Sequence, residues 1–287
     1  VYAQYLYRLG QVDAALKAMQ QYEQLHELYP DETVLMARLL GEAARWEAAM
    51  PYLLKAVVIN QRDRRLRLLL GKAALQTRNC GTARDAFQTI LNADPNHREA
   101  LLGMANALVC AGNSRDALSH YDKYIELHPA DAAGYRFRSI ALLEIDKPAL
   151  AYEDARQAVD LDEADPANHL ARGFSAAVLN KHHRQAVNDF EAYRMAPDSI
   201  KSVQVEQVEL WYALANGYNR LGMTDSAYYY IDKVLARTPN HRAALILQGK
   251  VGISYFINTN WLYLILGGLA LIATIIVAVR MMLTRND

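Results

Sequence analysis

Six prolines beside Asn or Asp punctuate the first 240 residues: YPDE at 29, DPNH at 94, HPAD at 128, DPAN at 165, APDS at 196 and TPNH at 238. Their spacing is close to 34 residues or a multiple of it. A proline there stops one helix, because its ring clashes with the preceding turn and it has no N–H to donate. The Asn or Asp beside it can cap the next helix. Asn96 with Glu99 has the spacing of a capping box. Between the marks lie two amphipathic apolar runs joined by a short turn, so the repeating object is a helix pair. One pair leaves an apolar face uncovered. Only stacking on a neighbour covers it, and stability then becomes roughly a sum of neighbour interfaces.

The clearest unit is WYALANGYNRLGMTDSAYYYIDKVLARTP, residues 211–239. It resembles one tetratricopeptide repeat (TPR). In that family's 34-position register Trp211 stands at position 4, Leu214 at 7, Tyr218 at 11, Ala227 at 20 and Pro239 at 32, with Gly222 in the turn. Ala215 replaces the usual Gly at position 8. Other units follow the same register. Gly10 and Ala15 mark the first, whose second helix reads about three residues too long. Ala49 and Ala56 mark the second, and Leu70, Gly71, Ala83, Phe87 and Pro95 the third. Gly112, Ala117, Tyr121 and Pro129 mark the fourth, Tyr135, Ala151 and Ala158 the fifth, and Ala186, Phe190 and Pro197 the sixth. A further helix is expected from about His241. The resemblance implies an all-α, right-handed superhelical α-solenoid of about seven helix pairs plus a capping helix, spanning 1–250. Small residues at position 8 (Gly71, Ala105, Ser139, Ala215) and alanines at position 20 fit this physically, since they let two helix backbones approach closely.

The chain then changes character. No charged residue occurs from Val251 to Val279, and Trp261 to Val279 is almost unbroken apolar sequence. As a helix those residues would be about 28 Å long, and Met281, Met282 and Leu283 extend it. Trp261 and Tyr263 suit one membrane interface and Arg280 and Arg285 the other. The expected layout is therefore a juxtamembrane linker over 251–260, a transmembrane helix from Trp261 to Leu283, and a short tail over 284–287. A buried C-terminal capping helix is the alternative, but it would need a polar face. Ala270, Thr274 and Ala278 form a small-residue track of the kind that pairs membrane helices. Arg242 and Lys250 precede the stretch and Arg280 and Arg285 follow it, so the charge rule leaves orientation open.

In the TPR family the first helix of each pair lines an inner groove. At position 9 successive units place Arg38, Lys72 and Asn106 in line, and nearby inner positions add Arg136, Arg172, Asn216, Asn219 and Arg220. Such a strip would grip backbone amides and an acidic peptide or a C-terminal carboxylate. The plain alternative is a solvated polar face. TPR proteins that bind acidic chaperone tails carry a five-residue carboxylate clamp; Asn106 and Arg172 fit it, while Leu102, Phe137 and Asn168 do not. The resemblance therefore stops short of that role.

The 31 basic and 31 acidic residues cancel, so no global field recruits nucleic acid. Cys80 and Cys110 lack metal or redox spacing, cannot make a disulfide framework, and are expected as small buried apolar residues. Gly71-Lys72 is not a phosphate-binding loop, His182-His183 sits in a turn without further ligands, and DLDEADP lacks the Gly and Glu of a calcium loop. No cofactor and no catalysis are expected. Two functions remain: a membrane-anchored scaffold or adaptor binding partner polypeptides in its groove, or a structural subunit of a larger integral membrane complex.

Overall fold

The computed structural model describes residues 1–201 and 205–253. In chain order the helices are α1 (Tyr2–Arg8), α2 (Val12–Glu23), α3 (Pro30–Glu42), α4 (Trp46–Ile59), α5 (Arg64–Gln76), α6 (Cys80–Ala93) and α7 (Arg98–Cys110). There follow α8 (Ser114–Leu127), α9 (Ala132–Glu144), α10 (Pro148–Leu161), α11 (Pro166–Leu179), α12 (His183–Met195), α13 (Gln207–Arg220) and α14 (Thr224–Arg237). One 3₁₀ turn spans Asp198–Ile200, and residues 242–253 are helical. No strand occurs among the described residues. The fold is an all-α stack of TPR-like helix pairs. No helix among the described residues is long and apolar enough to cross a membrane. The expected span from Trp261 to Leu283, its small-residue track and most of the 251–260 linker lie outside the described residues.

Two compact units emerge, one from Val1 to Ala164 and the other beginning at Asp165. The first holds five helix pairs, α1 to α10. Its odd-numbered helices touch in succession, α3 to α5, α5 to α7 and α7 to α9, so they share one side of the unit. The second holds α11 to α14 and the helix at 242–253, with α11 touching α13.

Small residues set the spacing as the register requires. Ala15, Ala49, Ala83, Ala117, Ala151 and Ala227 are 0% exposed and Ala186 is 2% exposed. Ala105, Ser139 and Ala215 are equally inaccessible. Large side chains fill what remains: Phe87, Phe190, Tyr121 and Leu214 are fully buried. Tyrosines also tie helices together, through specific bonds. The Tyr7 hydroxyl donates to Glu42 over 2.7 Å, Tyr121 to Asn106 over 2.6 Å and Tyr230 to Glu191 over 2.6 Å.

Backbone dihedrals restate the period. Gly10, Ala44, Arg78, Gly112, Asp146 and Asn180, each 34 residues after the last, all have positive φ, as does Gly222 after a longer connection. Each ends the first helix of a pair, where a left-handed residue redirects the chain. Glycine adopts this without steric cost, and Asn and Asp tolerate it; Ala44 and Arg78 carry strain of about 1 kcal/mol.

Three sequence expectations are corrected. The extra residues of the first unit do not lengthen its second helix: α2 ends at Glu23, and residues 24–29 form an irregular link. Asn96 caps nothing; its N–H turns back to Asp94 at 3.3 Å. His97 caps α7 instead, its Nδ1 accepting the Ala100 N–H at 3.4 Å, and His241 does the same for the Ala244 N–H at 3.1 Å. Finally, Cys80 and Cys110 are half-exposed and joined in a disulfide, with Cα atoms 5.6 Å apart.

Candidate functional site: an inner-face cavity in the first unit

The shared side of α5, α7 and α9 holds a cavity of about 540 Å³. Leu75, Phe87, Leu102, Phe137 and Trp46 supply its apolar walls, and Lys72, Gln76, Arg98, Glu99 and Asn106 its polar ones. Lys72 and Asn106 face the same space because 34 residues bring α7 into register with α5. Lys72 is exposed and has no ion-pair partner among the described residues. The Asn106 carbonyl oxygen accepts from Tyr121, which leaves its two amide N–H donors for other acceptors.

At one end of the cavity Asp131 gathers three helices. Its carboxylate accepts from Arg98 Nη2 at 2.5 Å, from the Tyr124 hydroxyl, and from the Ala133 N–H at 3.1 Å, which caps α9. Burial works against the charged carboxylate, but these hydrogen bonds outweigh it and hold Asp131 below the usual range. Burial and the Asp131 hydrogen bond push Tyr124 the other way. Arg98 and Asp131 neutralise each other, so Lys72 and Glu99 are the charges left to meet a ligand.

The remaining predicted strip residues fall in different places. Arg38 is not a free groove cation: its Nη2 donates to Asp63 at 2.5 Å, and Asp63 also caps α5 through the Leu66 N–H at 3.1 Å. Arg136 is buried at 8% exposure, its guanidinium 5.0 Å from the centroid of the Phe137 ring. Arg172 in the second unit donates twice to Asp189, at 2.8 and 2.7 Å. Asp189 is 1% exposed and also meets His169 at 2.9 Å and Gln185 at 3.1 Å. Burial raises the cost of its charge, yet these partners prevail and keep it below the usual carboxylate range. Arg38 and Arg172 thus engage carboxylates within the fold, and Arg136 is buried. Asn216 and Arg220 line a separate cavity of about 220 Å³ in the second unit with Asn180 and His183; Asn219 is not in its lining.

Three comparisons bear on this geometry. A family model described as tetratricopeptide repeat matches residues 34–98, 68–109 and 102–168. Rat (Rattus norvegicus) serine/threonine-protein phosphatase 5 is 30% identical over 111 residues, covering 39% of this chain and 22% of that protein. The chain thus spans about a fifth of the length of the curated relatives it matches. Among solved structures, the APC/C hetero-tetramer Cut9–Hcn1 superposes with a TM-score of 0.60 and 19% identity, covering 90% of this chain and 49% of that one. The pilF protein of Pseudomonas aeruginosa superposes with a TM-score of 0.62 and 14% identity, covering 77% and 97%. At these identities the structural likeness speaks to fold alone.

Proposed function

We propose that this chain, whose residues 34–168 are tetratricopeptide repeats, is a non-enzymatic scaffold that binds partner polypeptides on the inner face of its first unit and holds them beside a membrane. The observation that carries the reading is the cavity shared by α5, α7 and α9, whose apolar walls lie beside an unpaired Lys72 and the open amide of Asn106. An extended segment laid there would give backbone carbonyls to Asn106, an apolar side chain to Leu102 and Phe137, and a carboxylate to Lys72. Affinity would come from helices already in place, so little ordering cost falls on the host. The tetratricopeptide-repeat match supports the scaffold reading, and the Cut9–Hcn1 hetero-tetramer, similar in fold, is itself a protein–protein assembly. The membrane part rests on the charge-free run from Val251 to Val279.

A photo-reactive residue placed at Leu102 of the full chain should crosslink a polypeptide partner, and Lys72→Glu should remove the adduct. Equal adducts with Lys72→Glu, or the same adducts from the outward Gln88, would defeat the binding reading. Alkaline carbonate extraction addresses the anchor separately: the full chain should stay with the membrane fraction, and release into the supernatant would sink that part.

A further inference from the structure

We infer that Cys80 and Cys110 form a structural disulfide in the cell, and that the repeats therefore operate in an oxidising compartment. These are the two cysteines of the 287-residue chain. Cys80 is the first residue of α6 and Cys110 the last of α7, so the bond ties one repeat to the next at the turn end of the stack. Their Cα separation of 5.6 Å lies at the commonest value for disulfides, so the bond forms without moving either helix. Both residues are half-exposed, which lets an exchanging thiol reach them. The bridge also clamps cavity-lining elements, since α6 supplies Phe87 and α7 supplies Leu102 and Asn106.

The chemistry needs an oxidant, and a more oxidising protein disulfide is the class that serves. One cysteine, as thiolate, attacks a sulfur of that disulfide, and the other thiolate then displaces the mixed bond. Two thiols lose two protons and two electrons, and the oxidant leaves as a dithiol. In a thiol-rich cytosol the same exchange runs backwards, so such a bridge persists outside it. This breaks the tie left by the flanking charges. With Arg242 and Lys250 on one side of the apolar run and Arg280 and Arg285 on the other, the disulfide puts the repeats on the oxidising side and Arg280 and Arg285 on the cytosolic side. The sidedness rests on the anchor reading above; the compartment itself does not.

The test is thiol status of the wild-type full chain in acid-quenched cells. A maleimide–polyethylene glycol reagent should add no mass until the sample is reduced, after which two additions appear. Two additions without reduction would overturn the inference. In purified full-length protein, dithiothreitol should lower Tm by roughly 5–10 °C, and Cys80→Ser with Cys110→Ser should melt at that lower value regardless of reductant. An unchanged Tm would remove the stapling role. Protease added to sealed vesicles of known sidedness should find the repeats opposite the cytosolic face, and a cytosolic position would overturn the compartment assignment. An oxidised pair in a protein released by carbonate would overturn only the anchor.

Discussion

At the scale of single residues, fit around Phe87 decides how two repeats meet. The ring is 1% exposed and lies against two glycines from different helices. A Cβ on Gly71 would stand 2.6 Å from it, and one on Gly103 closer still. Alanine is a better helix former than glycine by about 1 kcal/mol. At Gly103 that gain should be overwhelmed, and Gly103→Ala should lower stability by about 1–3 kcal/mol in chemical denaturation. Gly249, in open space on its helix, gives the contrast: Gly249→Ala should stabilise by up to about 1 kcal/mol. Buried charge is the other residue-scale control. Asp189→Asn would remove the buried carboxylate that Arg172 and His169 engage and should cost about 3 kcal/mol or more. Because Asp189 is depressed in the folded state, its contribution is intact above the unfolded carboxylate pKa of about 4 and is lost as pH falls further through the folded value. An acid titration of unfolding should therefore lose its slope between about pH 4 and lower values in Asp189→Asn. An identical pH profile in wild type and variant would exclude this role.

At the scale of elements, a recurring device is a capping aspartate that also reaches back to an arginine one repeat earlier. Asp63 caps α5 and holds Arg38; Asp131 caps α9 and holds Arg98. Asp131→Ala should cost about 2 kcal/mol by removing the cap and the charged bonds together, more than an exposed ion pair would. Differential scanning of the variant checks this. Helix existence was legible because prolines and small residues are local signals at a fixed period. The caps were less so. In DPNH and TPNH the stronger prior belongs to Asn, yet the chain reaches its helical turn one residue later, so His97 and His241 take the position. The cavity was partly legible: a 34-residue spacing sufficed to align Lys72 with Asn106. It could not reveal that Asp63 and Asp189 would draw Arg38 and Arg172 away, since those partners lie on other helices at no fixed spacing. The pairing of Cys80 with Cys110 was hidden for a related reason. It joins the start of a second helix to the end of the next first helix, a meeting that only stacked turns create.

At the scale of the whole molecule, stability is distributed along the chain rather than concentrated in one core. Residues 1–164 form a compact unit with its own buried clusters. Produced alone, they should remain helical by circular dichroism and unfold in a visible transition. A featureless melt would mean that the unit depends on the helices C-terminal to it. The balance of 31 basic and 31 acidic residues has a matching local form, in which Asp63, Asp131 and Asp189 engage Arg38, Arg98 and Arg172.

The glycine slots around Phe87 also bear on ancestry. Arrays of this kind grow by duplicating a segment, and in principle any copy can replace another. Here a ring from α6 needs one vacancy on α5 and a second on α7. A copy inserted between α6 and α7 would have to bring its own glycine at the matching place or push the ring out. The third and fourth repeats are thus fitted to each other, and shuffling them should fail where exchange of less interlocked copies succeeds.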